Sequence, residues 1–123
     1  MTILHVEDHE STREVVRLAL RAQGIAVVSV GGVAAAKQVL ADRADVAGAL
    51  LDLRLPDGSG FELYEWLISH RPALAARVAF LSGGGTELAS RVAAIGRPVL
   101  EKPFDLATLV RVVGDWERAG GAR

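Results

Sequence analysis

A chain of 123 residues, half of them hydrophobic and 24% charged, is long enough for one buried core and too apolar for a disordered segment. Its 14 basic and 15 acidic residues leave a net charge of −1, which gives no electrostatic case for non-specific nucleic-acid binding, and the lack of cysteine excludes a disulfide framework or a thiolate metal site. No apolar run approaches the roughly 20 residues of a membrane span, and MTILHVEDHE has neither the basic start nor the long apolar stretch of a signal peptide, so a cytoplasmic domain without membrane insertion is expected.

Apolar runs alternate with helix-period segments along the chain. Ile3 to Val6 predicts a short strand. Ser11 to Gln23 predicts a helix, closed by Gly24, a residue suited to the left-handed turn that ends helices. Ala26 to Val30 is β-branched and strand-like, and Val33 to Leu40 is Ala-rich and helical. Val46 to Leu51 reads as a buried strand, and Gly60 to His70 as a helix stopped by Pro72. Val78 to Leu81 predicts a strand, Thr86 to Ile95 a helix, and Val99 to Leu100 a short strand. The last helix runs from Asp105, its N-cap, to about Glu117, with Leu106, Leu109, Val110 and Val113 as its core face. The segment 118–123 is expected to be a frayed tail.

Strand and helix thus alternate five times. Such alternation predicts an α/β fold: a doubly wound, five-stranded parallel sheet with five helices on its two faces. Five strands suit the flavodoxin-like order 2-1-3-4-5. The chain 1–123 then forms a single domain, with no repeat, low-complexity tract or linker.

In an open parallel sheet, ligands bind outside the carboxyl ends of the strands, where the strand order reverses. Here those ends carry chemistry. The first strand ends in Glu7-Asp8, the third in Asp52, the fourth in Ser82-Gly83-Gly84-Gly85, and the fifth in Glu101-Lys102-Pro103. Taken singly, Asp8 is a loop acid or helix cap, Ser82 a turn residue and Lys102 a solvated lysine. Together they bring three carboxylates, a hydroxyl and an ammonium to one sheet edge. Crowded carboxylates repel unless a cation neutralises them, and hard oxygen ligands select Mg²⁺ or Mn²⁺. A divalent ion, a lysine and a hydroxyl around a free carboxylate suit a phosphoryl group.

These residues, in this order and near this spacing, resemble the receiver domain of two-component response regulators. The resemblance is carried by Glu7-Asp8, by Asp52 in LLDLRLPDGSG, by Ser82-Gly83 and by Lys102-Pro103-Phe104, and it spans about residues 2 to 117. It implies that Asp52 accepts a phosphoryl group from a phosphohistidine on a sensor histidine kinase or a histidine phosphotransfer domain. It further implies that Asp8 and Asp52 bind Mg²⁺ (or Mn²⁺) directly, that Glu7 acts through a metal-bound water, and that the Arg54 carbonyl completes the coordination. Ser82 becomes the switch hydroxyl, and Lys102 pairs with a phosphoryl oxygen. A side chain at Gly83 would crowd the phosphoryl group. The domain is then no enzyme beyond promoting its own phosphorylation and dephosphorylation.

Two departures accompany the resemblance. Receivers usually carry an aromatic three residues before the lysine, and here that position is Val99. The stretch from Ser82 to Lys102 is about two residues shorter than in stand-alone receivers, more like receivers at the C-terminus of hybrid histidine kinases. No DNA-binding segment follows in this sequence, so direct nucleic-acid binding is not expected, and a monomer or weak dimer is. A pseudo-receiver, a binding module that is never phosphorylated, is the alternative.

Other signals carry less. Neither the P-loop pattern nor GxGxxG is present in its required place. An aspartyl-phosphatase would need a second acid two residues after Asp52, where Arg54 stands. His5 and His9 straddle a strand end and are not expected to bind metal. In the first helix, Thr12, Val16, Ala19, Leu20 and Gln23 fall on one side. Val15, Leu18 and Ala22 form a second stripe, expected to dock a kinase or phosphotransfer helical bundle.

Overall fold

A computed structural model describes residues 1–83 and 87–121. Five strands, β1 (Thr2–Val6), β2 (Ala26–Val30), β3 (Val46–Asp52), β4 (Val78–Ser82) and β5 (Val99–Glu101), form one parallel sheet in the order β2-β1-β3-β4-β5. Six helices connect and flank them: α1 (Glu10–Arg21), α2 (Val33–Asp42), α3 (Gly60–His70), α4 (Pro72–Ala75), α5 (Glu87–Ala94) and α6 (Leu106–Gly121). The sheet order and doubly wound class agree with the sequence reading.

Strand residues alternate between two cores, as the two-residue period of a strand requires. Leu4, Val6, Ala49, Leu51, Val78 and Phe80 face α2, α3 and α4, where they meet Ala36, Leu40, Leu63, Leu67 and Leu74. Ile3, Leu50, Ala79 and Leu81 face the other way and meet Val16 and Leu20 of α1 and Leu109, Val113 and Trp116 of α6. With both faces covered, β4 is buried at every position, which is why VAFLS reads as a continuous apolar run.

Local chemistry sets the element ends. Gly24 has φ 77°, and the amide of Ile25 reaches back to the Leu20 carbonyl at 3.0 Å, so the expected stop of α1 is realised. Gln23 is exposed, because the chain has already left the helix there; only Val16 and Leu20 of its stripe are buried. Ser59 caps α3 by accepting the Glu62 amide at 3.1 Å, and Asp105 caps α6 by accepting the Ala107 amide at 3.0 Å.

The helix count is six where five were expected. Pro72 does end α3, but it then opens the single turn α4. Proline lacks only an N–H that a first helical turn leaves unpaired, so it starts a helix as readily as it stops one. Helix α6 runs to Gly121, so most of the expected frayed tail is helical; residues 122 and 123 lie outside the described residues, as do Gly84, Gly85 and Thr86. Leu106, expected in the core, is 40% exposed. It opens α6 ahead of the turns that pack on the sheet, whereas Leu109 and Val113 are fully buried.

Candidate functional site

Backbone bonds that extend the sheet bring the functional residues to its carboxyl edge. The Glu7 amide donates to the Val30 carbonyl at 2.9 Å, the Leu53 amide to Leu81 at 2.9 Å, and the Lys102 amide to Ser82 at 2.7 Å. Each strand is thereby held one residue beyond its ladder. Side chains at Glu7, Asp52 and Lys102 are fixed by the sheet rather than by loops.

Glycine makes one close approach possible. A Cβ at Gly60 would lie 2.4 Å from the Asp52 carbonyl oxygen and 3.0 Å from Leu51 Cβ, so α3 starts directly against the end of β3. The turn between them is also anchored. Leu55 and Gly58 bond each other across it, and Asp57 accepts the amides of Val33 and Ala34 at 2.8 and 3.0 Å. Asp57 therefore caps α2 from another part of the chain, and its carboxyl is held below its ordinary pKa by those two amides.

At the edge itself, Lys102 Nζ lies 2.6 Å from Glu7 Oε1 and 2.8 Å from Asp52 Oδ2. The remaining Asp52 oxygen, Oδ1, accepts the Arg54 amide at 3.2 Å. Glu7 is fully buried, Asp52 is 4% exposed and Ser82 is 1% exposed. Asp8 is more open and carries its carboxylate toward His9, whose Nδ1 is 3.3 Å from Asp8 Oδ1 and 3.1 Å from Glu7 Oε2.

The electrostatics follow from this geometry. Burial raises the pKa of Asp52, and the bonds from Lys102 and the Arg54 amide offset only part of it, with the Glu7 charge adding to the rise. Burial acts on Glu7 in the same sense, but Lys102 and the His9 amide outweigh it and leave Glu7 lowered. Lys102 resists burial because Asp52 and Glu7 hold its proton, so its pKa is raised. Three carboxylates against one ammonium leave the edge anionic. Glu7, Asp8, His9 and Asp52 each place a donor atom within 4.8 Å of the others, a mostly hard-oxygen set that fits Mg²⁺ or Mn²⁺.

A cleft of about 560 Å³ opens over this cluster, lined by Asp8, Thr12, Asp52, Arg54, Gly83 and Lys102 among others. Among the described residues, no atom lies within 4 Å of a Cβ built at Gly83. Beside it lies a second cleft of about 540 Å³, lined by Ser11, Thr12, Val15, Lys102, Pro103, Phe104 and Leu106. Val15 and Leu18 on α1 are 47% and 52% exposed, and Ala22 is exposed just beyond the helix. Val99 is half-buried against the core under α2 to α4.

The structure thus brings together Glu7, Asp8, Asp52, Ser82, Gly83, Arg54 and Lys102 at one edge. Sequence reasoning missed the place of His9 in the cluster. Its neighbours Glu7 and Asp8 were the available signal, but taking His5 and His9 together as a pair straddling a strand end could not see it. It also missed that His5 is fully buried, with neither ring nitrogen hydrogen-bonded among the described residues.

Comparisons with known proteins identify the family. The sequence profile of the response regulator receiver domain matches residues 3–114. The chain is 33% identical over 106 residues to the transcriptional regulatory protein GltR of Pseudomonas aeruginosa, covering 84% of this chain and 43% of that protein. It is 35% identical over 107 residues to the photosynthetic apparatus regulatory protein RegA of Rhodobacter capsulatus, covering 85% of this chain and 56% of that one. The chain therefore spans about half the length of these relatives. A response regulator receiver protein from Pseudomonas putida superposes with a TM-score of 0.83 at 29% identity, over 93% of this chain and 95% of that one. With the sheet order, the acidic edge and the match to nearly all of its length, the chain belongs to the response regulator receiver domain family of two-component signalling.

Proposed function

We propose that Asp52 is the phosphoacceptor, taking a phosphoryl group from a phosphohistidine of a sensor histidine kinase or histidine phosphotransfer domain. What supports this is one observation above the others. A nearly buried carboxylate is bridged by Lys102 to Glu7 and faces an open cleft beside Asp8. An Asp52 carboxylate oxygen attacks phosphorus as the P–N bond to the donor imidazole breaks, and the imidazole leaves with the bonding pair and takes up a proton. Burial that raises the Asp52 pKa also makes its anion less solvated and more nucleophilic than a surface aspartate.

Receiver domains bind Mg²⁺ at an acidic pocket, and Asp8, Asp52, the Arg54 carbonyl and, through a water, Glu7 are the groups that would hold it here. Such an ion supplies neutralisation of the charge on the phosphoryl oxygens. Lys102 exchanges its bond to Asp52 for a phosphoryl oxygen, and Ser82 donates to another. An unfilled position at Gly83 leaves room for the group. The donor docks on Val15, Leu18 and Ala22, beside the cleft at Phe104 and Leu106. The whole chain acts as one cytoplasmic receiver domain, a monomer or weak dimer, modifying only itself and without direct nucleic-acid contact.

Acetyl phosphate with Mg²⁺ tests this. The intact mass is expected to rise by one phosphoryl unit, and Asp52→Asn to abolish the rise. An unchanged wild-type mass would make the chain a pseudo-receiver.

A further inference from the structure

We infer that the His9 imidazole is itself a ligand of the divalent ion and shifts the site's preference from Mg²⁺ toward Mn²⁺. The inference rests on the reading of this edge as the ion-binding, phosphoryl-accepting site. Ligands about 2.1 Å from an octahedral ion lie about 3 Å apart when adjacent and about 4.2 Å apart when opposed. His9 Nδ1 is hydrogen-bonded to Glu7 Oε2 at 3.1 Å and lies 3.3 Å from Asp8 Oδ1; with Glu7 acting through water, an ion that replaces that hydrogen bond finds Nδ1 and the Asp8 ligand at the spacing of adjacent ligands. All four donor atoms of Glu7, Asp8, His9 and Asp52 fall within 4.8 Å, so a small side-chain rotation closes the set.

The other oxygens of the cluster have different work. Lys102 takes Glu7 Oε1 and Asp52 Oδ2, and the Arg54 amide takes Asp52 Oδ1. Glu7 Oε2 accepts the His9 amide at 3.1 Å and shares His9 Nδ1 with Asp8 Oδ1. The His9 side chain is 71% exposed, so it turns onto an ion without repacking any core. Its neighbour Asp8 opens the same way, at 34% exposure. An imidazole nitrogen is a softer donor than a carboxylate, and along the divalent series it favours transition ions over Mg²⁺. An all-oxygen site has no such bias. One histidine next to the ion-binding acids therefore alters which ion the site holds, and with it the ion present when phosphoryl transfer occurs.

Two measurements on the full chain test this. In the Mn²⁺-loaded protein, electron spin-echo modulation is expected to show coupling to a directly bound nitrogen that shifts when histidine is ¹⁵N-labelled and vanishes in His9→Gln. His5 and His70 remain in that variant and serve as the internal control. In calorimetric titrations, His9→Gln is expected to weaken Mn²⁺ on the order of tenfold and Mg²⁺ by less than about twofold. Equal weakening of both ions would make His9 a positioning group and overturn the inference. Stronger binding of both would show a competing imidazolium, and would overturn it as well. If Mg²⁺ binds and acetyl phosphate modifies Asp52 while nitrogen coupling is absent, this inference fails and the phosphoacceptor reading stands. If neither ion binds, both fail.

Discussion

Lys102 sets the charge balance of the site at the scale of single residues. It hydrogen-bonds both Glu7 and Asp52, which favours their anions, and its charge adds to burial in disfavouring a proton on His5. Burial first, and then the Lys102 charge, lower the His5 pKa from 6.5 to about 4. The unfolded chain takes up a proton at His5 near pH 6.5, and the folded chain only near pH 4. Above pH 6.5 both states are neutral and His5 contributes no pH dependence. Between 6.5 and 4 the unfolded state binds more protons, so stability falls as the pH falls, by about 2 kcal/mol at pH 5. His5→Leu removes that term while filling similar space with an apolar group. Urea unfolding at pH 7.5 and pH 5 should show a loss smaller in the variant by about this amount. Parallel losses in the two proteins would mean that His5 is protonated within the fold.

Among elements, α1 joins the core to the proposed docking face. Val16 and Leu20 anchor it to the sheet, while Val15 and Leu18 are exposed and Val15 lines the same cleft as Phe104 and Leu106. Leu18→Arg places a charge on the exposed stripe without touching the anchors, so stability should change by no more than about 0.5 kcal/mol. Transfer from the cognate phosphohistidine is expected to slow at least about tenfold, the cost of one lost apolar anchor of roughly 1.4 kcal/mol. Acetyl phosphate reactivity should stay as in the wild type. Equal loss of both reactions would point to a damaged fold, and undiminished transfer would remove α1 from the docking surface.

The same scale shows what the sequence could and could not disclose. Asp52 and Lys102 were legible because each closes or follows an apolar run, and a parallel sheet brings such ends to one edge. Gly24 and Pro72 marked element ends through their backbone chemistry, and Asp105 marked the start of α6 through its side chain. Asp57 was not legible as a cap for α2, since the acceptor and the Val33 amide are 24 positions apart and meet only when the fold forms. Leu106 was misplaced because helical period assigns a face but does not tell where along the helix the packing begins. His9 was passed over because it was weighed only with His5 across a strand end, and not with the three carboxylates that two strands bring beside it.

For the whole molecule, two cores hold a sheet whose edge carries like charges close together. The buried apolar residues on both faces supply the stability, and the edge spends part of it on function. A ligand that binds only the folded state returns some, as RT ln(1 + [L]/Kd). At ten times Kd, Mg²⁺ should add about 1.4 kcal/mol, a few degrees in melting temperature for a domain of this size. Asp8→Asn should shrink the gain. Identical melting curves in Mg²⁺ and in a monovalent salt of equal ionic strength would show that the acidic edge holds no ion.

The account stands on the identity of the modified side chain. Borohydride reduction after acetyl phosphate treatment converts an aspartyl phosphate to homoserine, which peptide mass mapping locates. Homoserine at position 52, formed with Mg²⁺ and lost when the ion is chelated, is the predicted result. Homoserine at another acid, such as Asp8, or at no position, would contradict it.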